Sequence, residues 1–298
     1  MKIYDAVVVG GRGAVGTLLA GHLAEDGLTV LAVDRTPAPE GPSPYDHAVG
    51  NVDRPNEPLR RTMKAAPIVV LAVPESVALS LPAELVGPNS LVVETLSVKS
   101  NFAARVDESF GTGTVLGINP MFAPSLGMAG RPVAAVEHRG GVAADEFMDR
   151  LSRWGATVVH VDADQHDRLA AATQALTHAS VLAFGVALST LDVSAELVDA
   201  VSPPPARTTL ALLARICGGE PEVYWDVQAG NPYAASARRA LADAVRELDD
   251  TVATGSEPAF AALVQRAGAG VPDGDRYRTL CASIFGIVRE TPGERGRA

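Results

Sequence analysis

Residues 3–34 read IYDAVVVGGRGAVGTLLAGHLAEDGLTVLAVD. One apolar run enters a glycine-rich turn, an apolar helix follows, and a second apolar run ends in an acid. Gly11, Gly13 and Gly16 form GxGxxG between strand and helix. The first glycine allows the tight turn, the second lets the backbone approach a pyrophosphate, and the third permits close packing of helix on strand. The helix N-terminus adds N–H groups and a positive dipole for the anion. Arg12 and Val15, interleaved with these glycines, are expected at the same ligand. Asp34 follows at the distance of about 20 residues from which a carboxylate binds both hydroxyls of an adenosine ribose. Because that carboxylate repels a 2′-phosphate, the sequence predicts NAD rather than NADP. Arg35 pulls the other way, since an arginine there can stack on adenine or hold that phosphate.

The pattern continues outward from this unit. Val/Ile/Leu runs bounded by turn residues at 3–9, 28–33, 68–73, 90–94, 114–118, 132–136 and 157–161 predict strands buried on both faces of a parallel sheet. In LAVPESVAL (71–79), Val73 and Pro74 either touch the cofactor at the sheet edge or only begin a helix. Beyond Asp162 the strand signal stops. Ala and Leu recur at helical spacing to about Val288, interrupted by SPPP at 202–205 and GGEP at 218–221. The chain thus divides into an α/β Rossmann-like domain over 1–162, an all-α domain over 163–288 and a tail over 289–298 whose Gly, Pro and charge predict disorder. The Ala-rich helix at 164–190 is too weakly polar for so small a domain to hide alone, which predicts a homodimer through this region.

Composition narrows the function. The 298 residues are 47% hydrophobic, enough for a large aliphatic core shared between two domains. Twenty-five Lys and Arg against 35 Asp and Glu leave a net charge of -10, which repels a nucleic-acid backbone and an anionic membrane surface. Cys217 and Cys281 are the only cysteines and lack CxxC spacing, so no disulfide framework or zinc site is expected and a reducing cytoplasm fits. The opening MKIYDAVVVGG reads as a strand rather than a signal peptide, and no apolar run is read as approaching the roughly 18 residues of a membrane span. The cluster HVDADQHD (160–167) holds acids and imidazoles, but Asp162 or Asp164 reads there as the cap of the long helix. With no HExxH or comparable spacing, no metal is expected.

Four further segments, ETLSVKSNF (94–102), VLGINPMFAPSLG (115–127), QALTHASVLAFGVAL (174–188) and SPPPARTTLALLARI (202–216), are far more diagnostic than the glycines. In this order after the nucleotide motif they resemble the prephenate dehydrogenase family of tyrosine biosynthesis, over about residues 3–265. The resemblance implies a Rossmann domain and a helical dimerisation domain with the active site between them. It also implies hydride transfer from ring carbon 4 of a dianionic cyclohexadiene to NAD, with loss of the ring carboxylate as carbon dioxide. Ser97 matches the serine that hydrogen-bonds the 4-substituent, and Lys99 matches its neighbouring lysine. His178 matches a residue that reaches the substrate, and Arg215 the arginine that binds a substrate carboxylate. Read without the resemblance, Ser97 is a turn or cap residue, His178 a packed helix residue and Arg215 an interhelical ion-pair partner.

At position 119, where the family carries a catalytic histidine in HPMF, this chain has asparagine. An amide is no base at neutral pH, and a positioned general base is worth roughly 10²- to 10⁴-fold in rate. Three readings compete. If ring carbon 4 carries an amine, the free-base nitrogen lone pair expels hydride directly to an iminium with no side chain removing a proton beforehand, and Asn119 accepts an N–H bond beside Ser97. That substrate is 4-amino-4-deoxyprephenate, on which relatives in the family act in antibiotic pathways. Alternatively the substrate is prephenate or arogenate, with His178 or water as base. The third reading is an inactive NAD-binding regulatory protein, against which the retention of Ser97, Lys99, His178 and Arg215 argues.

Overall fold

All seven predicted runs become strands, and one short edge strand joins them. In chain order they are β1 Ala6–Val9, β2 Val30–Asp34, β3 Asp46–Val49, β4 Ile68–Leu71, β5 Leu91–Glu94, β6 Val115–Pro120, β7 Pro132–Arg139 and β8 Thr157–His160. The computed structural model describes residues 2–38, 40–110, 113–253 and 255–288. The predicted disordered tail over 289–298 lies outside the described residues. The strands form one sheet in the order β3-β2-β1-β4-β5-β6-β7-β8. The first six are parallel, β7 runs antiparallel to β6, and β8 is parallel to β7. The unpredicted strand β3, with sequence DHAV, pairs only with β2 and stays half-exposed, so it lacks the apolar run that marks the buried strands.

Helices α1 Ala14–Glu25, α2 Glu57–Ala65, α3 Glu75–Ser80, α4 Ser100–Ser109, α5 Val142–Arg153 and α6 Ala163–Ala170 complete this unit. Strand residues alternate between two cores, as a pleated sheet requires. Val7, Val9 and Leu71 pack with Met63 of α2 and Phe102 of α4 on one face, and Val8, Val70 and Ile118 with Leu19 of α1 and Phe147 of α5 on the other. The compact unit ends after Ala170, eight residues beyond the predicted boundary at 162. The reason is local: His166 and Asp167 of α6 are buried, and Asp167 accepts hydrogen bonds from the start of α4.

The second unit is helical. A wide π turn, Ala171–Ala175, leads into α7 Leu176–Thr190, followed by α8 Ala195–Val201, α9 Pro204–Cys217 and α10 Pro221–Trp225. A second π turn, Asp226–Gly230, precedes α11 Ala234–Ala253, α12 Glu257–Gly268 and α13 Gly274–Ile287. Gln228 of the second π turn donates to the Ala175 carbonyl of the first at 2.8 Å, satisfying a group that the widened turn frees. The buried apolar cluster of this unit is small, comprising Ala175, Val227 and Ala234, while Val186, Val201 and Ile287 stand exposed.

The segment Ala163–Thr190 is, by length and composition, apolar enough to cross a membrane, and only 22% of its most apolar window is buried. This corrects the reading that no apolar stretch approaches that length. The scattered Gln, Thr, His and Ser of this segment break its apolar runs without adding charge, so mean hydropathy stays high.

Candidate active site

The C-terminal ends of β1, β2 and β4 open onto a cleft lined among others by Gly10, Gly13, Asp34, Arg35, Val73 and Pro74. This is the edge where parallel α/β sheets bind ligands, next to the reversal of strand order between β1 and β4. The glycines divide their work differently from the sequence reading. The tight turn is made by Gly10, with φ of +76° and a position where a Cβ would lie 2.0 Å from the Ala72 carbonyl oxygen. Gly11 instead lets the turn pack on β2, since its Cβ would lie 2.6 Å from that of Ala32. Gly16 brings α1 onto the turn, where a Cβ would meet the Gly10 carbonyl at 2.2 Å. Gly13, the N-cap of α1, borders the cleft with no side chain over the helix terminus.

Around these glycines the other expected cofactor residues take distinct places. Asp34 Oδ1 accepts from the amide and hydroxyl of Thr36 at 3.1 and 3.0 Å, and Oδ2 from the Arg12 amide at 3.2 Å. Burial pushes the Asp34 carboxyl up, but these bonds and the Arg35 amide outweigh it and hold the group below its ordinary value, so it is anionic at neutral pH. The Arg12 guanidinium is drawn to Thr36 Oγ1 and the Pro37 carbonyl. Val15, in the first turn of α1, packs partly into the core. Val73 and Pro74 line the cleft, and Pro74 is also the N-cap residue of α3.

Further along the same sheet edge, β5 and β6 carry a buried polar network. Asn119, near the end of β6, is 4% exposed. Its Nδ2 lies 3.1 Å from Nε2 of His166, whose Nδ1 lies 2.8 Å from Asp167 Oδ1. Asp167 also accepts from the Lys99 amide at 2.8 Å, and from the amide and hydroxyl of Ser100 at 3.0 and 2.5 Å. Burial raises its pKa, but the His166 and Ser100 bonds and the Lys99 amide prevail, so the net shift is downward. Ser97, half-buried in the turn between β5 and α4, has no hydrogen-bond partner among the described residues.

Lys99, predicted beside the substrate, instead turns its ammonium into the protein. The side chain is fully buried; Nζ donates to Glu94 Oε2 at 2.7 Å and to the Ile118 carbonyl at 2.8 Å, one residue before Asn119. The other Glu94 oxygen meets His138 Nε2 at 2.8 Å, and Leu96 donates its amide to Oε2. Burial pushes Glu94 up and is overcome by the Lys99 charge and the His138 bond, whereas burial of Lys99 wins and lowers its pKa. Gly117 makes the room: a Cβ there would lie 2.2 Å from Glu94 Oε1. Lys99 therefore fixes β6 from within.

In the helical unit, His178 on α7 is half-buried, and its ring meets that of Tyr224 edge-on at 5.0 Å between centroids. Burial first, and then the positive charge of Arg215 on α9, hold the His178 pKa below its ordinary value, so the two predicted residues lie within electrostatic reach. Arg215 is exposed, whereas Arg207 bonds the Ser202 and Asp199 carbonyls and pairs with the Asp199 carboxylate at 3.6 Å. Among the described residues there is no group of three or more metal-ligating side chains. In HVDADQHD, Asp162 caps α6 through the Gln165 amide at 2.7 Å as predicted. The same segment also supplies His166 and Asp167, which the reading as a cap passed over.

Residues 162–266 match the family model described as prephenate dehydrogenase, dimerization domain. The chain is 44% identical over 284 residues to a 4-amino-4-deoxyprephenate dehydrogenase of Streptomyces pristinaespiralis, covering 94% of this chain and 95% of that protein. The chain belongs to the prephenate dehydrogenase family. Solved structures share its fold. An A. aeolicus prephenate dehydrogenase in complex with hydroxyphenyl propionate and NAD+ has a TM-score of 0.69 at 14% identity, covering 90% of this chain and 97% of that one. A Synechocystis arogenate dehydrogenase has a TM-score of 0.65 at 18% identity, covering 92% and 99%. Membership of this family of dehydrogenases gives the exposed apolar helices of the second unit a context, since the matched model is a dimerisation domain.

Proposed function

We propose that this protein is a cytoplasmic homodimer that oxidises 4-amino-4-deoxyprephenate to 4-aminophenylpyruvate with NAD, releasing carbon dioxide. The observation that carries the substrate is the amide of Asn119, bonded through Nδ2 to His166, where a base would otherwise stand. The relative that is 44% identical, a 4-amino-4-deoxyprephenate dehydrogenase, supports the same choice.

The cleft residues fit the cofactor. Gly13 and the α1 terminus leave backbone close to a pyrophosphate, and anionic Asp34 suits two ribose hydroxyls and disfavours a 2′-phosphate. NAD, when bound, supplies the hydride acceptor. As hydride leaves ring carbon 4, the bonding pair of the departing carboxylate at carbon 1 completes the aromatic ring. In the free-base form the amine lone pair at carbon 4 supports this departure directly, giving an iminium that decarboxylation returns to the aromatic amine, so Asn119 need only accept an N–H bond. Arg215 supplies the fork for a substrate carboxylate, and His178, with its lowered pKa, is a neutral hydrogen-bonding group at pH 7.

A prephenate dehydrogenase with His166 as base is the competing reading, because this imidazole lies against residue 119. Its Nε2 lone pair, however, is already taken up by the Asn119 N–H. Asn119→His tests the proposal. Restoring an imidazole should raise prephenate turnover at least about tenfold, a fraction of what a native base supplies, and lower turnover of the amine. No gain on prephenate together with undiminished amine turnover would overturn it.

A further inference from the structure

We propose that His166, held by Asp167, is a positioning residue that sets substrate specificity by locking the Asn119 amide with its carbonyl oxygen offered to the substrate's 4-substituent. The inference rests on the proposed amine substrate and deepens it. Asp167 is fully buried, and its Oδ1 faces both the Lys99 amide and His166 Nδ1. An anionic oxygen at 2.8 Å requires the imidazole proton on Nδ1. In the neutral ring Nε2 then carries a bare lone pair and can only accept. The amide of Asn119, 3.1 Å away, satisfies it only through Nδ2.

Because the amide is planar, fixing Nδ2 on His166 fixes Oδ1 on the opposite side, where it has no hydrogen-bond partner among the described residues. The side chain thus presents an acceptor and withholds a donor. An amine offers N–H bonds to that acceptor and keeps its lone pair for the ring, whereas an amide free to rotate would also offer N–H groups that tie the lone pair up. The sequence of bonds runs from Asp167 through the imidazole to the amide, so the imidazole orients the Asn119 side chain. Two further contacts tie the same region down: Lys99 holds the Ile118 carbonyl, one residue before Asn119, and Asp167 also holds the start of α4.

The test uses the full-length enzyme with NAD, side-chain amide NMR of 15N-asparagine-labelled protein, and turnover of both ring substrates. Asn119→Asp identifies the Asn119 resonance by its loss. His166→Leu should speed exchange of that amide at least about tenfold, and should lower kcat with the amine by roughly ten- to a hundredfold with little change in the Kd for NAD, the scale set by a misplaced contact group. His166→Gln, whose side-chain carbonyl can accept the same N–H, should restore both readouts to within about threefold. The proposal is overturned if His166→Leu leaves amide exchange and the amine-to-prephenate ratio unchanged. It is equally overturned if Gln and Leu are equally disabled while near-ultraviolet circular dichroism remains native, because the imidazole would then be needed as a base. Slow amide exchange lost in His166→Leu, in an enzyme that does not turn over the amine, would sink the substrate alone and leave the orienting role in place.

Discussion

Replacing Lys99 by methionine separates a substrate contact from a structural ion pair. The Lys99 and Glu94 side chains are both fully buried, with Nζ 2.7 Å from Oε2. Methionine fills similar volume but removes the charge, leaving Glu94 with His138 and the Leu96 amide as its partners and the Ile118 carbonyl without its donor. Breaking one side of a buried pair costs about 3–5 kcal/mol. In a unit of this size each kcal/mol moves Tm by roughly 2–4 °C, so Tm should fall by about 12 °C. The double variant Lys99→Met with Glu94→Gln should recover part of this loss, since no uncompensated charge then remains. Thermal unfolding followed by circular dichroism, with KM for the amine substrate measured well below Tm, is the assay. If Lys99→Met shifted Tm by less than about 2 °C while raising KM tenfold or more, the ammonium would be a substrate ligand and the reasoning from burial would be refuted.

Asp34→Ala should weaken NAD strongly and improve relative use of NADP, read as the ratio of kcat/KM for the two cofactors; a wild-type preference for NADP would contradict the role given to this carboxylate. Arg215→Lys should raise KM far more than it lowers stability, because a point charge replaces a planar fork, and unchanged kinetics would make Arg215 structural. His178 has a folded-state pKa below the ordinary value of 6.5, so the unfolded chain binds its proton first. Stability should therefore fall as pH drops through about 6.5 toward the folded-state pKa, and His178→Gln should flatten that part of a urea-unfolding pH profile. An unaltered profile would show that the half-buried His178 ring is not what couples stability to pH.

Much of the architecture was legible because buried parallel strands and the glycine turn impose local patterns on a sequence. The strand β3 was not, since a half-exposed edge strand of four residues needs no apolar run. The turn glycine was assigned one residue late: GGRG fits the motif through Gly11, yet only backbone geometry reveals that Gly10 takes the positive φ. Within the site, Asn119 was visible because a family motif surrounds it, but its partners were not. His166 and Asp167 lie 47 and 48 residues away, in a segment whose acids already read as a helix cap. Lys99 was misplaced for a related reason, because burial of an ammonium depends on Glu94 and on the space left by Gly117, two contacts that no sequence spacing encodes.

An amide at position 119, in place of a base, is proposed to mark an amine-bearing substrate. NADH formation by the wild-type enzyme with 4-amino-4-deoxyprephenate, prephenate and arogenate, compared side by side as kcat/KM, tests it most directly. The amine should be preferred over prephenate by at least about tenfold, a conservative fraction of the roughly 10²- to 10⁴-fold that a missing base would cost the hydroxyl substrate. A preference for prephenate or arogenate would contradict it.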